Sequence, residues 1–304
     1  MQKPDPGTLI ASDIMTRGVK TLSPLTSIPE GIQQLLVRKY SEMPVVEDDG
    51  TFRGMFSEKC CMEVLATLTE RSQVPVPKSP TAGDMMVPRR KLLTLWPDQD
   101  VHGAMEMLLN RGCSGAPVID LHDRFLGTFS EKTCMGFVIE AAYNNLPAAS
   151  VGAFIDSDNN RLIDAQTDLH SIAKIFLDVP YGRLPVMDGN SIVGQLSRRD
   201  VLMHSGVLAC IMKHQLSTDA VEFALFPTDD AVWLPVADKL PDYMVGDFMN
   251  NLSQTIGPGM NLFSIARLFL VSPFRRFPVI QDEKLVGQIS RCDLLREVLN
   301  LRAK

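Results

Sequence analysis

Residues 183–200 read RLPVMDGNSIVGQLSRRD: a hydrophobe-Pro-Val triplet, an acidic residue, a Gly-Asn turn, an apolar run, and a serine three residues after a glycine. Asp-Gly chemistry between two β-rich runs predicts strand, turn, strand. Ser197 is then placed to cap a following helix. Working outward, the pattern returns three times, as EMPVVEDDGTFRGMFSEKC from Glu42, GAPVIDLHDRFLGTFSEKT from Gly115 and RFPVIQDEKLVGQISRCD from Arg276. Upstream of each triplet lies an apolar period near 3.6, for example Ile28, Ile32, Leu35 and Leu36, or Leu262, Ile265, Ala266, Leu268 and Phe269, which predicts an amphipathic helix. Ahead of that stands a short strand-like segment: Thr21-Leu22, Thr94-Leu95, Leu162-Ile163 and Thr255-Ile256. The chain is therefore read as four copies of one β-α-β-β-α unit.

Openings such as ASDIMT from Ala11, AGDMMV from Ala82 and VGDFMN from Val245, taken with the triplets and the Gly-x-x-Ser runs, make the unit resemble the CBS domain, named after cystathionine β-synthase. The third copy opens less typically, as VGAFID from Val151. The resemblance implies an α/β (α+β) fold in which consecutive repeats pair into two Bateman modules with ligand clefts between the copies. Repeats are expected over 8–70, 80–146, 149–214 and 243–304. Residues 215–242 are read as an insertion, with a helix expected just before it around Val207–His214.

Family members commonly bind adenosine nucleotides, and the chemistry of those ligands says what to look for. Ribose vicinal hydroxyls need an acceptor of two hydrogen bonds, which an ionised Asp supplies. In the family pattern that Asp ends Ser-x-x-Asp at the start of the last helix, whose N-terminus also favours phosphate. Ser197 with Asp200, and Ser290 with Asp293, fit it; Cys60 and Thr133 replace the acid in the first two repeats. Just before the triplet, where phosphate-binding members often place a base, stand Arg183 in the third copy and Arg275-Arg276 in the fourth, against Glu42 and Gly115 in the others. The resemblance thus implies one cleft of Arg183, Ser197, Asp200, Thr255 and Ile256, and another of Arg276, Ser290, Asp293, Leu162 and Ile163. Leu162 in place of Thr, and Asp164 close by, make the second the poorer. The expected ligand is AMP, ADP or ATP; the arginines weigh against S-adenosylmethionine, which carries no phosphate. Arg198, Arg199 and Arg291 oppose the dipole at their helix starts, so a nearby anion would account for them. Each site residue also has a plain reading, as a favourable first-turn acid or a solvated rim cation.

Other function classes fare worse. A net charge of −6 with no basic stripe gives nucleic acid no footprint. The apolar stretches are too short for a membrane span, and MQKPDPGTLIASD has no basic region followed by an apolar one, so a cytoplasmic protein is expected. The five histidines are scattered, with no HExxH, P-loop or GxGxxG, so no catalytic or metal site is expected. Six cysteines at irregular spacing are read mainly as core packing. The leading expectation is a regulatory, non-enzymatic sensor that binds a nucleotide in its C-terminal module and acts through a homodimer or a regulated protein, by analogy with the four-repeat subunit of AMP-activated protein kinase. A ligand-free interaction protein and a switch built on Cys60 or Cys61 are the alternatives. In both N-terminal copies the Glu-Lys pairs, Glu58-Lys59 and Glu131-Lys132, are read as solvated. Whether the modules pair within one chain or between two is left open.

Overall fold

The computed structural model describes residues 10–69, 80–135, 162–189, 191–204, 207, 222–224, 233–235, 244–249, 254–272 and 274–302. Four hairpins recur: Glu42–Val46 with Phe52–Ser57, Gly115–Ile119 with Phe125–Ser130, Arg183–Asp188 with Ser191–Ser197, and Arg276–Gln281 with Lys284–Ser290. Each shifts register at the same place, one residue beyond the Pro-Val step.

The invariant place of the proline has a simple cause. Leu22 bridges Val45 in parallel, with Leu22 N donating to the Pro44 carbonyl at 2.8 Å and Val46 N returning a bond to the Leu22 carbonyl at 2.8 Å. Leu95 and Ile256 do the same against Pro117 and Ile119, and Pro278 and Ile280. In such a ladder the proline nitrogen faces the residue two before the first strand's bridging residue, Lys20 in the first repeat. The ladder ends there, so the missing N–H leaves no bond unmade. The expected Thr-hydrophobe strands are thus single bridges in three repeats, and Ile163–Asp164 in the third.

The first helix of each repeat, Ile28–Val37, Val101–Arg111, Leu169–Asp178 and Leu262–Val271, starts at a capping side chain: Ser27, Asp100, Asp168 and Asn261. Their buried faces, such as Ile28, Ile32, Leu35 and Leu36, pack on the hairpins.

Repeats 1 and 2 join through their sheets. Val87–Pro88, near the start of the second repeat, pairs with Gly54–Met55 of the first, and Thr16 bridges Thr128 in return. Phe52 and Phe125 stack across this contact at 5.9 Å. Repeats 3 and 4 are joined by the Asp168–Met244 bridge and by Val245 N donating to the Thr167 carbonyl at 2.9 Å.

Helices close the ring. One apolar core is shared by repeats 1 and 3, with Leu35, Cys61 and Leu65 against Ile172, Phe176 and Leu202. A second is shared by repeats 2 and 4, with Met105, Leu108 and Cys134 against Ile265, Phe269 and Leu295. The modules therefore pair within one chain, in the order 1-2-4-3 around a centre. Between the third and fourth matched repeats, Glu222–Ala224 pairs antiparallel with Trp233–Pro235. The VGAFID opening lies outside the described residues, as does the helix expected at Val207–His214 apart from Val207. Among the described residues no helix is long and apolar enough to cross a membrane, and no cluster of metal-ligating side chains occurs.

Candidate functional site

The centre of the ring is built from one motif position used four times. The residue three before each proline offers its carbonyl to the first N–H of that repeat's second helix: Glu58 N to Ser41, Glu131 N to Ser114, Arg198 N to Gly182 and Arg291 N to Arg275, at 2.9–3.2 Å. Four helix N-termini are fixed by this bond beside the four Pro-Val triplets.

The serines cap as expected. Ser197 Oγ accepts from Asp200 N at 3.2 Å, while Asp200 Oδ2 accepts from Ser197 N at 2.8 Å and from its hydroxyl at 2.6 Å. Ser290 and Asp293 repeat this at 2.8 and 2.5 Å. Repeats 1 and 2 build the same cap without an acid. Ser57 Oγ lies 3.3 Å from the Cys60 thiol, and Thr133 Oγ1 accepts from Ser130 N at 3.0 Å. One oxygen of each aspartate is thus committed to structure, which leaves Oδ1 as the atom a ribose would use; that of Asp293 lies 3.8 Å from Arg296.

The arginines before the triplets reach across the module. Arg183 lies over the ring of Phe274 at 4.9 Å, and Arg276 over Tyr181 at 4.1 Å, so repeats 3 and 4 exchange reciprocal cation–π contacts. Both arginines are half-buried. Arg275 is exposed and turns toward the other module, donating to Ser114 Oγ at 2.5 Å and Ser41 Oγ at 3.0 Å.

The first-strand residues differ in their exposure. Ile256 and Ile163 are buried in the cores, and Thr255 is exposed. Leu162 is half-buried, and Asp164 is turned to accept from Gln166 N at 2.8 Å. Among the described residues no hydrogen bond joins Thr255 to Asp200 or Leu162 to Asp293.

Two expectations are corrected. Arg198 and Arg291 do not require an anion: Arg198 Nη2 donates to the carbonyls of Phe176 and Val179 at 2.7 and 2.9 Å, and Arg291 Nη2 to those of Phe269 and Ser272 at 2.8 and 3.0 Å. Each caps the C-terminus of its repeat's first helix, where cations are favoured. Burial lowers both guanidinium pKa values to about 10. Arg199 is also accounted for, by Glu58 and the Tyr40 carbonyl. The second correction concerns Glu58 and Glu131, which are only 6% and 8% exposed and not solvated. Burial pushes both carboxyls up, against the pull of Arg199, Arg275 and Arg198 on Glu58, and of Arg275, Arg291 and Arg276 on Glu131. A signal was available: these glutamates hold the motif position of Arg198 and Arg291, a charge reversal between the two halves of the chain.

The thiols of Cys60, Cys61 and Cys134 are buried and pushed up by desolvation, the last to about 12.

The CBS domain family matches four stretches, residues 11–67, 82–140, 155–206 and 245–300. The CBS domain-containing protein CBSX2 of Arabidopsis thaliana, a chloroplastic protein, is 28% identical over 193 residues, 58% of this chain and 78% of its own. CBSX2 has been crystallised in complex with AMP; that structure covers 43% of this chain and 97% of its own, at 19% identity and a TM-score of 0.37. The crystal structure of protein MJ1225 from Methanocaldococcus jannaschii, compared in its description with g-AMPK, superposes with a TM-score of 0.76 over 95% of this chain and 99% of its own, at 17% identity. With four repeats matched along most of its length, the chain belongs to the CBS domain family.

Proposed function

We propose that this chain is a regulatory, non-catalytic protein whose C-terminal pair of repeats binds an adenosine nucleotide, AMP, ADP or ATP, and signals by shifting how the two modules sit on each other. The observation that carries the reading is a coincidence confined to repeats 3 and 4. Only there does an aspartate in the first turn of the second helix occur together with an arginine two residues before the proline. The AMP complex of the relative CBSX2 supports the same ligand class. Arg275 supplies the route for a signal, because it belongs to the nucleotide-binding pair yet holds serines of both N-terminal repeats. A ligand that draws Arg275 toward phosphate releases Ser41 and Ser114 and biases the module arrangement. The responding partner is a second copy of the chain or a regulated protein.

Thr133 provides a clean test, since threonine already completes the cap in repeat 2. Asp200→Thr and Asp293→Thr keep that cap and remove the carboxylate. Nucleotide at about 100 times its Kd raises stability by about 2.7 kcal/mol. That gain, read as a thermal shift, is expected in the wild type and lost in the variant of each occupied cleft.

The ligand-free interaction protein is favoured by one observation: Arg183 and Arg276 are occupied by aromatic rings, and one oxygen of each aspartate by its cap. No thermal shift with AMP, ADP or ATP in protein stripped of carried-over nucleotide decides for it.

A further inference from the structure

At the interface of repeats 1 and 3, Arg199 sets its guanidinium against three acceptors: the Glu58 carboxylate at 2.8 Å, the Tyr40 carbonyl at 2.6 Å and the Leu36 carbonyl at 3.2 Å. We infer that the interface of repeats 2 and 4 offers the same acceptors without the arginine, and so binds an alkylguanidinium cation from solution. The site is independent of the nucleotide reading.

The acceptors recur in repeat 2. Counted from Pro44 and Pro117, Glu131 matches Glu58, Cys113 matches Tyr40 and Leu109 matches Leu36. Each glutamate opens a second helix whose first N–H is bonded to a serine carbonyl, that of Ser41 or Ser114. Each first helix turns out through a left-handed residue, Lys39 at φ 57° and Gly112 at φ 64°, so its last carbonyls end in the same way. The side that would carry the cation matches too. Arg198 and Arg291 make the same bonds to the ends of their own repeats' first helices, which fixes the next residue, Arg199 or Cys292, at the same place. The cores beneath agree residue for residue, with Leu35, Phe176 and Leu202 recurring as Leu108, Phe269 and Leu295. Helix Arg291–Arg302 also packs directly on helix Val101–Arg111.

What differs is the cation. Cys292 ends far short of where Arg199 carries its guanidinium. Arg296, one turn on, is directed at the Cys292 thiol at 3.6 Å and at Asp293 at 3.8 Å. Among the described residues no hydrogen bond or ion pair reaches the Glu131 carboxylate, although it is only 8% exposed. A buried carboxylate is costly until a cation pairs with it, and helix-end carbonyls favour a cation as well. The planar fork of a guanidinium spans a carboxylate and neighbouring carbonyls, as a compact ammonium does not. Cys113 and Cys292 are half-buried, so solvent reaches the edge of the site.

Calorimetric titration with n-butylguanidinium tests this. The wild type is expected to bind one equivalent, and to bind n-butylammonium about tenfold more weakly. Acetyl-arginine amide separates the sources: binding as tight as that of butylguanidinium assigns the site to an arginine of a partner chain, and weaker binding to a free guanidinium compound. Glu131→Gln keeps the shape, removes the charge and is expected to weaken binding about tenfold. Cys292→Arg supplies the guanidinium from the chain, as Arg199 does, and is expected to abolish binding and raise the thermal midpoint. Thermal unfolding of each variant reports that it is folded. No binding by the wild type, or binding unchanged in either variant, overturns the inference.

Discussion

The guanidinium of Arg199 lies 2.8 Å from the carboxylate of Glu58, an ion pair that joins repeat 3 to repeat 1. The same guanidinium donates to the Tyr40 carbonyl at 2.6 Å and the Leu36 carbonyl at 3.2 Å, closing the C-terminal end of helix Ile28–Val37. At the opposite interface, between repeats 2 and 4, Cys292 stands at that position, and among the described residues no ion pair takes its place. Removing one partner of a buried pair strands the other, at a cost of about 3 kcal/mol. Arg199→Ala is expected to lose that much in urea unfolding, and Glu58→Gln in the same chain to restore part of it. A loss below about 0.5 kcal/mol, the range of an exposed pair, would show that the contact does not hold the modules.

Gly54 and Gly127 occupy the motif position where the partner repeat's segment crosses the hairpin. A Cβ on Gly127 would meet the Thr16 carbonyl at 2.5 Å, and one on Gly54 would run into the Val87 carbonyl. Backbone cannot retreat as a side chain can. Alanine at either position is expected to cost about 2 kcal/mol through overpacking, and to weaken the pairing of repeats 1 and 2 before any other part of the ring. Gly257→Ala, which meets nothing within 4 Å, is the control expected within about 0.5 kcal/mol of the wild type in thermal unfolding.

The repeat unit was readable because its signals are local: the proline at a ladder's end, the serine cap, the 3.6 period. Turn chemistry was less complete. The fourth hairpin turns at Asp282 and Glu283, both with positive φ of 49° and 61°, where the Asp-Gly rule looks for glycine. The centre was misread for a different reason. Arg198 opposes the dipole of its own helix but caps the carbonyl of Phe176, twenty-two residues earlier. Arg291 does the same to Phe269. Rules written for one helix do not see the end of another. The pairing of repeats 1 with 3 and 2 with 4 was equally hidden, since it is made by apolar helix faces that look alike in all four copies.

Burial separates the five described cysteines into two groups. Cys60, Cys61 and Cys134 are at most 4% exposed, and Cys113 and Cys292 are half-buried. Thiolate is the reactive form, and desolvation raises the thiol pKa in every one of these five. Native-state alkylation mapped by mass spectrometry is expected to modify Cys113 and Cys292 slowly, and the other three only on unfolding. Rapid native modification of Cys60 or Cys61 would revive a redox role for that helix.

Acid and neutral pH act on opposite sets of carboxyls. Asp168 caps helix Leu169–Asp178 by accepting from the Ser171 hydroxyl at 2.7 Å and from Ser171 N at 3.1 Å, and these bonds hold its carboxyl below the usual range. A depressed carboxyl contributes stability that is full above its ordinary pKa of about 3.9 and fades as pH falls through the depressed value. Asp168→Ala should therefore cost about 1 kcal/mol at pH 7 and progressively less toward pH 2. Glu131 runs the other way. Its carboxyl is raised chiefly by burial, so the folded state holds the proton more tightly than the unfolded chain. The stability this adds is full below about pH 4.3 and is lost as pH rises through the raised value. Glu131→Gln cannot titrate, so its thermal midpoint should fall less than that of the wild type between pH 4.5 and 7. Parallel midpoint curves for the two proteins across that range would show that the Glu131 carboxyl is solvated and ordinary.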